Sequence, residues 1–193
     1  MKRNFIITTG LIDTWEFYEN NFVLGKWCEF YETNDYYEEK FRKKIPEKIN
    51  IIKNKSHWND KEKLNKDYEY LKVKLEYLLE IISEKLSTIH NINEDKEYWR
   101  VVIYKWLQEY VVTIFDRWEE VRIFFEKNKN KKFYSNFISL NDLDYTLKDH
   151  SDFIINTQND YWNHWIFLRI FDFLKIKSLL LIEKKVVKNN VNK

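Results

Sequence analysis

The sequence predicts an α/β fold that is mainly helical, with a small Rossmann-like parallel sheet at the amino terminus, then a long helical hairpin and further helices. Three observations predict it. Short β-branched or aromatic runs crowd the amino-terminal part of the chain. The segments between them are too long for hairpin turns, which implies parallel strands joined by crossovers. From Asn59 onward, apolar residues recur at intervals of three and four, the period of a helix.

The elements follow in order. "NFIITT", bounded by Gly10, and "NFVLGKWC" read as buried strands, and "INIIK", Ile49 to Lys53 after the single proline Pro46, reads as a third. Leu64, Tyr68, Leu71, Leu75, Leu78, Leu79, Ile82 and Leu86 then mark a long helix, with Asn59 or Asp60 as N-cap and Glu62 in its first turn. A break at "HNINED" leads into a second long helix, roughly Glu94 to Lys127, and the two make a helical hairpin. "KNKNKK" is a solvated linker by composition. A short strand at "FYSNFISL", a short helix from Asn141 to about Lys148, and a helix from about Asn159 through "YWNHWIFLRIFDFL" follow. Residues 1–175 are thus expected to form a single lobe, and 176–193 a helical extension with a frayed tail.

Composition excludes several function classes. With 193 residues the chain can bury one real core. Lys+Arg 33 against Asp+Glu 31 gives a net charge of only +2, so no global field draws the protein onto nucleic acid or an anionic membrane, and neither is an expected partner. An aromatic content of 18% is too rich for a disordered chain. Cys28 stands alone, which rules out an internal disulfide and a cysteine-built zinc site and fits a reducing compartment. The opening "MKRNFIITTGLIDTW" lacks a signal-peptide core and cleavage site, and no run reaches the roughly 18 apolar residues of a membrane span. The expected location is cytoplasmic.

The chemistry-bearing residues sit on or beside the helices. On the second helix, Lys105, Gln108, Glu109, Asp116 and Glu119 project to one side. Trp99, Val102, Ile103, Trp106, Leu107, Tyr110, Ile114 and Trp118 fill the opposite arc. Arg100 and Arg117 lie inside that apolar arc. Each must pair with a carboxylate, snorkel to the surface, or receive an anionic ligand, because an unpaired buried charge is costly. They are more than four turns apart, about 25 Å at ~1.5 Å per residue, too far to grip one phosphate together. "HWND" places His57 and Asp60 at a helix start, readable as an acid/base or phosphate site or simply as a cap. "YWNHW" joins Asn163 and His164 to Tyr161, Trp162 and Trp165, readable as a stacking site for a sugar or as packed core. Among His57, His90, His150 and His164 no pair has the spacing of a helical metal site, so no metal is expected. Gly10 and Gly25 are the only glycines, so a glycine-rich phosphate loop is impossible, and no nucleophile-elbow signature occurs.

Taken in order, these segments resemble a family of transferases encoded in bacterial surface-polysaccharide gene clusters, especially those for O-antigen. The resemblance is carried by "TT" and "TW" (Thr8, Thr9, Thr14, Trp15), "LGKWC", "HWND", "DYEYL", "YWR", "FDRW" and "NDYWNHW", and covers about residues 4 to 175. There are departures. Tyr104 and Lys105 precede Trp106 where the family has a Gly-Pro pair, Lys26 replaces a common acidic residue, and Asn59 a common aspartate. Relatives continue for several hundred residues into what looks like the sugar-nucleotide-binding half of a two-lobed glycosyltransferase.

The resemblance implies an amino-terminal, acceptor-side lobe of a glycosyl or related transferase in surface-polysaccharide synthesis, inactive alone. It implies no cofactor held by this chain, a nucleotide-sugar donor held mainly by a carboxy-terminal half or partner, and an acidic or phosphorylated sugar as substrate. On this expectation His57 and Asp60 are catalytic, with His57 the general base, and Arg100, Arg117, Trp162, Asn163 and His164 bind substrate. The rival reading is a mainly helical, non-catalytic interaction module whose aromatic face a partner covers.

Overall fold

Asn4, Phe5, Ile6 and Ile7 form strand β1 (Asn4–Ile7), and all four are buried, as a strand covered on both faces must be. The structure, a computed structural model, describes residues 3–25, 28, 50–138 and 147–184. β2 (Asn20–Val23), β3 (Asn50–Lys53), β4 (Phe133–Phe137) and β5 (Leu179–Glu183) join β1 in one sheet of order β3-β2-β1-β4-β5. Every pairing is parallel. The chain therefore winds outward from β1 through β2 and β3, then returns to β1's other side for β4 and β5. The predicted amino-terminal strands are the first half of this doubly wound sheet.

The period of two in β1 divides the core. Phe5 and Ile7 meet Ile12, Trp15, Val23 and Cys28, with Tyr18 and Tyr134 packed against them. The segment that crosses from β1 to β2, with its 3-10 turn Ile12–Thr14, supplies much of that layer. Phe22 and Phe133 instead meet Phe124, edge to face, at ring-centroid distances of 5.6 and 5.1 Å. Phe125 links Phe133 to Phe171 in the same way.

A polar ladder fixes the register. Asn4, Asn20 and Asn50 are directly paired across β1, β2 and β3. Asn20 donates to Asn4 Oδ1 at 3.1 Å, and Asn50 donates to Asn20 Oδ1 at 3.1 Å. A slip of one residue would break both bonds and turn the apolar side chains to the wrong faces.

The helices are α1 (Lys61–His90), α2 (Lys96–Lys127), α3 (His150–Thr157) and α4 (Asp160–Leu174). The described residues divide into two compact units, residues 1–56 with 120–193, and residues 57–119. The first holds the sheet, the end of α2, α3 and α4. The second is the helical hairpin, with Leu75, Leu79 and Leu107 at its core and Leu78, Ile82, Ile103, Tyr104, Trp106 and Val111 around them. α1 begins at Asp60, whose carboxylate accepts from the N–H groups of Glu62 and Lys63. It ends at Asn91 in the left-handed region (φ 53°), which asparagine tolerates better than most residues.

Several expectations are corrected. Residues 176–184 do not extend the last helix, and the rest of the expected tail lies outside the described residues. Lys175 turns left-handed (φ 48°) and ends α4, and "LLLIE" pairs along all five residues of β4. The short apolar run satisfies its backbone better in an existing parallel ladder than as a helix. α3 was not anticipated, and the helix expected at Asn141 to Lys148 falls largely outside the described residues. On α2, Val102 is 56% exposed although it projects onto the apolar arc, and Glu119 is 3% exposed although it projects onto the wet one. One projection cannot hold along a helix of 32 residues whose neighbours change. No described helix is long and apolar enough to cross a membrane.

Replacing Asn20 with Ala should lower stability by about 1–2 kcal/mol through two lost side-chain bonds. Urea unfolding measures this, and an unchanged midpoint would show that the ladder is decorative.

Candidate functional site

In a doubly wound parallel sheet the place for a ligand is the carboxyl edge where strand order reverses. Here that point lies between β1 and β4. β1 runs out into Thr8, Thr9 and Gly10, all buried or nearly so. The Trp15 indole donates to Thr9 O at 2.9 Å, and the Thr14 hydroxyl donates to Leu11 O at 2.7 Å, so the loop is tied to itself. Gly10 N–H donates to Asp160 Oδ1 at 2.8 Å. A β-carbon at Gly10 would stand 2.8 Å from Asp160 Oδ2, so only glycine lets the carboxylate lie this close. Burial raises the Asp160 pKa, partly offset by that N–H.

β4 completes the edge. The Ser135 hydroxyl donates to Ile6 O at 3.0 Å, and the Asn136 amide donates to Thr14 O at 2.8 Å. Just past the strand, Ile138 N–H donates to His164 Nε2 at 3.1 Å. An accepting Nε2 is unprotonated, which places the neutral imidazole's proton on Nδ1. His164 is 1% exposed, and burial lowers its pKa to about 4.

The first turn of α4 is held by its own side chains. Asn159 accepts from the N–H groups of Tyr161 and Trp162, and Asn163 donates to Thr157 O at 2.8 Å and Asn159 O at 3.0 Å. Trp162 is 1% exposed and packs edge-on against Phe153. Of the three residues predicted here as substrate-binding, Trp162 and Asn163 are thus engaged in packing and capping. His164 reaches the sheet edge.

The hairpin carries the second cluster. His57, with a side chain 1% exposed, sets Nε2 3.2 Å from Asp116 Oδ1 and Nδ1 3.5 Å from Asp67 Oδ2. Asp67 also accepts from the Trp58 indole at 3.0 Å and from Lys63 at 2.9 Å, and Lys63 reaches Glu119 at 2.6 Å. Burial lowers the Lys63 pKa, but its bonds to Glu119 and Asp67 outweigh that and hold it above the usual value. Arg117 contacts Thr113 O at 3.3 Å and Asp116 at 3.4 Å, and burial lowers its pKa against the pull of Asp116. Asp60, predicted beside His57 as an acid/base partner, is the cap of α1. Arg100 makes two 2.7 Å bonds to the Glu76 carboxylate and one of 2.8 Å to Glu97. It is an interhelical clamp within the hairpin.

Asp67, Lys63, Glu119, Asn136 and Asp160 were missed as functional candidates. Signals existed for some: Lys63 and Asp67 have helical i,i+4 spacing, and Asp160 precedes "YWNHW". Nothing in the sequence ties Asp160 to Gly10.

The class of the molecule is therefore an α/β protein with a Rossmann-type parallel sheet, whose quoted segments gather in two places. "TT", "TW" and "NDYWNHW" meet at the sheet edge, and "HWND", "DYEYL" and "FDRW" meet in the hairpin. The chain belongs to the LIC12162 family of transferases, whose family model matches residues 4–193. No curated protein and no solved structure matches it.

The buried His164 gives a signed pH prediction. Its folded pKa, about 4, lies below the ordinary 6.5, so the unfolded chain binds the proton more tightly between those values. Its contribution is full above pH 6.5 and is lost as pH falls to about 4, amounting to about 3 kcal/mol. Asp160, with its raised pKa, acts in the opposite sense, so the readout is the difference between the parent and His164→Gln. The parent's denaturant midpoint should fall more steeply across this window, and parallel curves would contradict the assignment.

Proposed function

We propose that this transferase works in the assembly of cell-surface polysaccharide, O-antigen included, moving a glycosyl or related group, and that the described chain supplies the acceptor side. The observation that carries the reading is the convergence of the Thr8–Gly10 loop, Asn136 and His164 on the reversal point of a parallel sheet. The same geometry argues against this edge as the donor's phosphate site. A Rossmann loop directs backbone N–H groups at a pyrophosphate, whereas Gly10 directs its N–H at the Asp160 carboxylate. A nucleotide-sugar donor is then held elsewhere, by a carboxy-terminal portion or a partner.

In the hairpin, His57 is held at Nε2 by the Asp116 carboxylate, with the Asp67 carboxylate 3.5 Å from Nδ1, and such an imidazole beside carboxylates suits acid/base work. Asp60 acts on it by fixing the start of α1. Arg100 is engaged by Glu76 and Glu97, and Arg117 by Asp116 and the Thr113 carbonyl. A second reading, the helical interaction module, has one observation in its favour: Val101 and Val102 are 89% and 56% exposed, beside the 44% exposed Tyr98. Trp99, on the same helix, is only 5% exposed, which counts against that reading.

Calorimetric titration separates the acceptor side from the donor side. A surface-polysaccharide oligosaccharide should bind at least about tenfold more tightly than uridine diphosphate glucose. Tighter binding of the nucleotide sugar would contradict the acceptor-side assignment.

A further inference from the structure

We propose that the outer face of α1 is the docking surface for a second copy of this chain, with the two α1 helices antiparallel and crossing at the level of Leu75. The inference concerns the helical hairpin alone and does not depend on the acceptor-side reading of the sheet edge.

α1 is apolar on two sides. Leu75 and Leu79 are buried in the hairpin core, at 4% and 0% exposure. At about 100° per residue, Tyr70, Val73 and Tyr77 form a stripe on the opposite side of the helix. They are 51%, 67% and 61% exposed. The solvent face of a helix is ordinarily polar, so three large apolar or aromatic side chains in successive turns mark a surface that is covered by a partner.

The charges on the stripe identify the occupant. Lys66 and Glu84 prolong it at either end; both are exposed, and among the described residues neither forms an ion pair. They stand nine residues before and nine after Leu75, and Val73 and Tyr77 two before and two after it. The stripe is therefore complementary to its own reverse. An antiparallel copy sets Lys66 of each chain against Glu84 of the other, giving two ion pairs about 27 Å apart at ~1.5 Å per residue. Val73 then meets Tyr77 twice between them, at the shallow crossing angle (~20°) of long packed helices. A parallel copy would instead put lysine on lysine and glutamate on glutamate. Such an interface is two-fold and closed, so it stops at a dimer. Its apolar centre is small beside the ~800 Å² per partner of a standard interface, so the dimer is expected to be weak and concentration-dependent.

Sedimentation velocity of the full chain over a range of concentrations tests the proposal, with circular dichroism to check that each variant keeps its helices. The expected result is a monomer–dimer equilibrium in the micromolar range that Val73→Glu abolishes. Val101→Glu, at a position on α2 that is 89% exposed, should leave it unchanged. Lys66→Glu and Glu84→Lys should each weaken the dimer by roughly tenfold, and the two together should restore it, which a parallel pairing would not do. Should Val73→Glu lose its helices, the charge exchange decides. A chain that stays monomeric at every soluble concentration overturns the proposal and leaves the face to another protein or to a carboxy-terminal portion. A dimer that Val101→Glu dissociates and Val73→Glu does not places the interface elsewhere and overturns it too. A dimer lost with Val73→Glu but indifferent to the charge exchange overturns the antiparallel arrangement.

Discussion

The parallel pairing of β1 on both its edges is the constraint from which the rest of the structure follows. Asn4 to Ile7 are buried on both faces and bonded to β2 on one side and β4 on the other. That brings Asn4 opposite Phe133, after the chain has made β2, β3 and the whole helical hairpin. A pairing between such distant residues carries a large closure cost, and buried aromatic surface at Phe5, Phe22, Phe124 and Phe133 offsets it. The reversal of strand order beside β1 is the geometric result. It creates the edge to which Gly10, Asn136 and His164 are brought.

The two clusters handle burial of polar groups differently. In the hairpin Lys63 pairs with Asp67 and Glu119, Arg117 contacts Asp116, and His57 stands beside Asp67 and Asp116. Such networks are stable only as a set, since removing one member leaves a buried partner uncompensated. The sheet edge contains few charges. It is assembled from neutral donors and acceptors, a buried neutral histidine, and one carboxylate locked onto a backbone N–H.

Much of the fold was legible because its signals are periodic. The three- and four-residue recurrence of Leu71, Leu75 and Leu79 marked α1, and the apolar runs marked β1, β2 and β3. β5 was not legible, because "LLLIE" carries no period that separates strand from helix, and only the neighbouring β4 decides it. The asparagine at the start of each of β1, β2 and β3 was visible but carries meaning only once the register is known. The candidate site was legible by residue type and not by partnership. His57, Asp60, Arg100, Arg117, Trp162, Asn163 and His164 could be singled out as chemistry-bearing. Their partners Asp67, Glu76, Ile138 and Phe153 lie 9 to 26 positions away, across turns that sequence does not specify. The link from Gly10 to Asp160 spans 150 positions and has no sequence signature.

The central claim is that the carboxyl edge of β1 and β4 is where this transferase meets its acceptor. Amide hydrogen exchange, followed with and without a surface-polysaccharide oligosaccharide, tests it most directly. The account predicts added protection concentrated in residues 8–15, 136–138 and 160–164. Protection confined to residues 57–119, with the sheet edge unchanged, would contradict it.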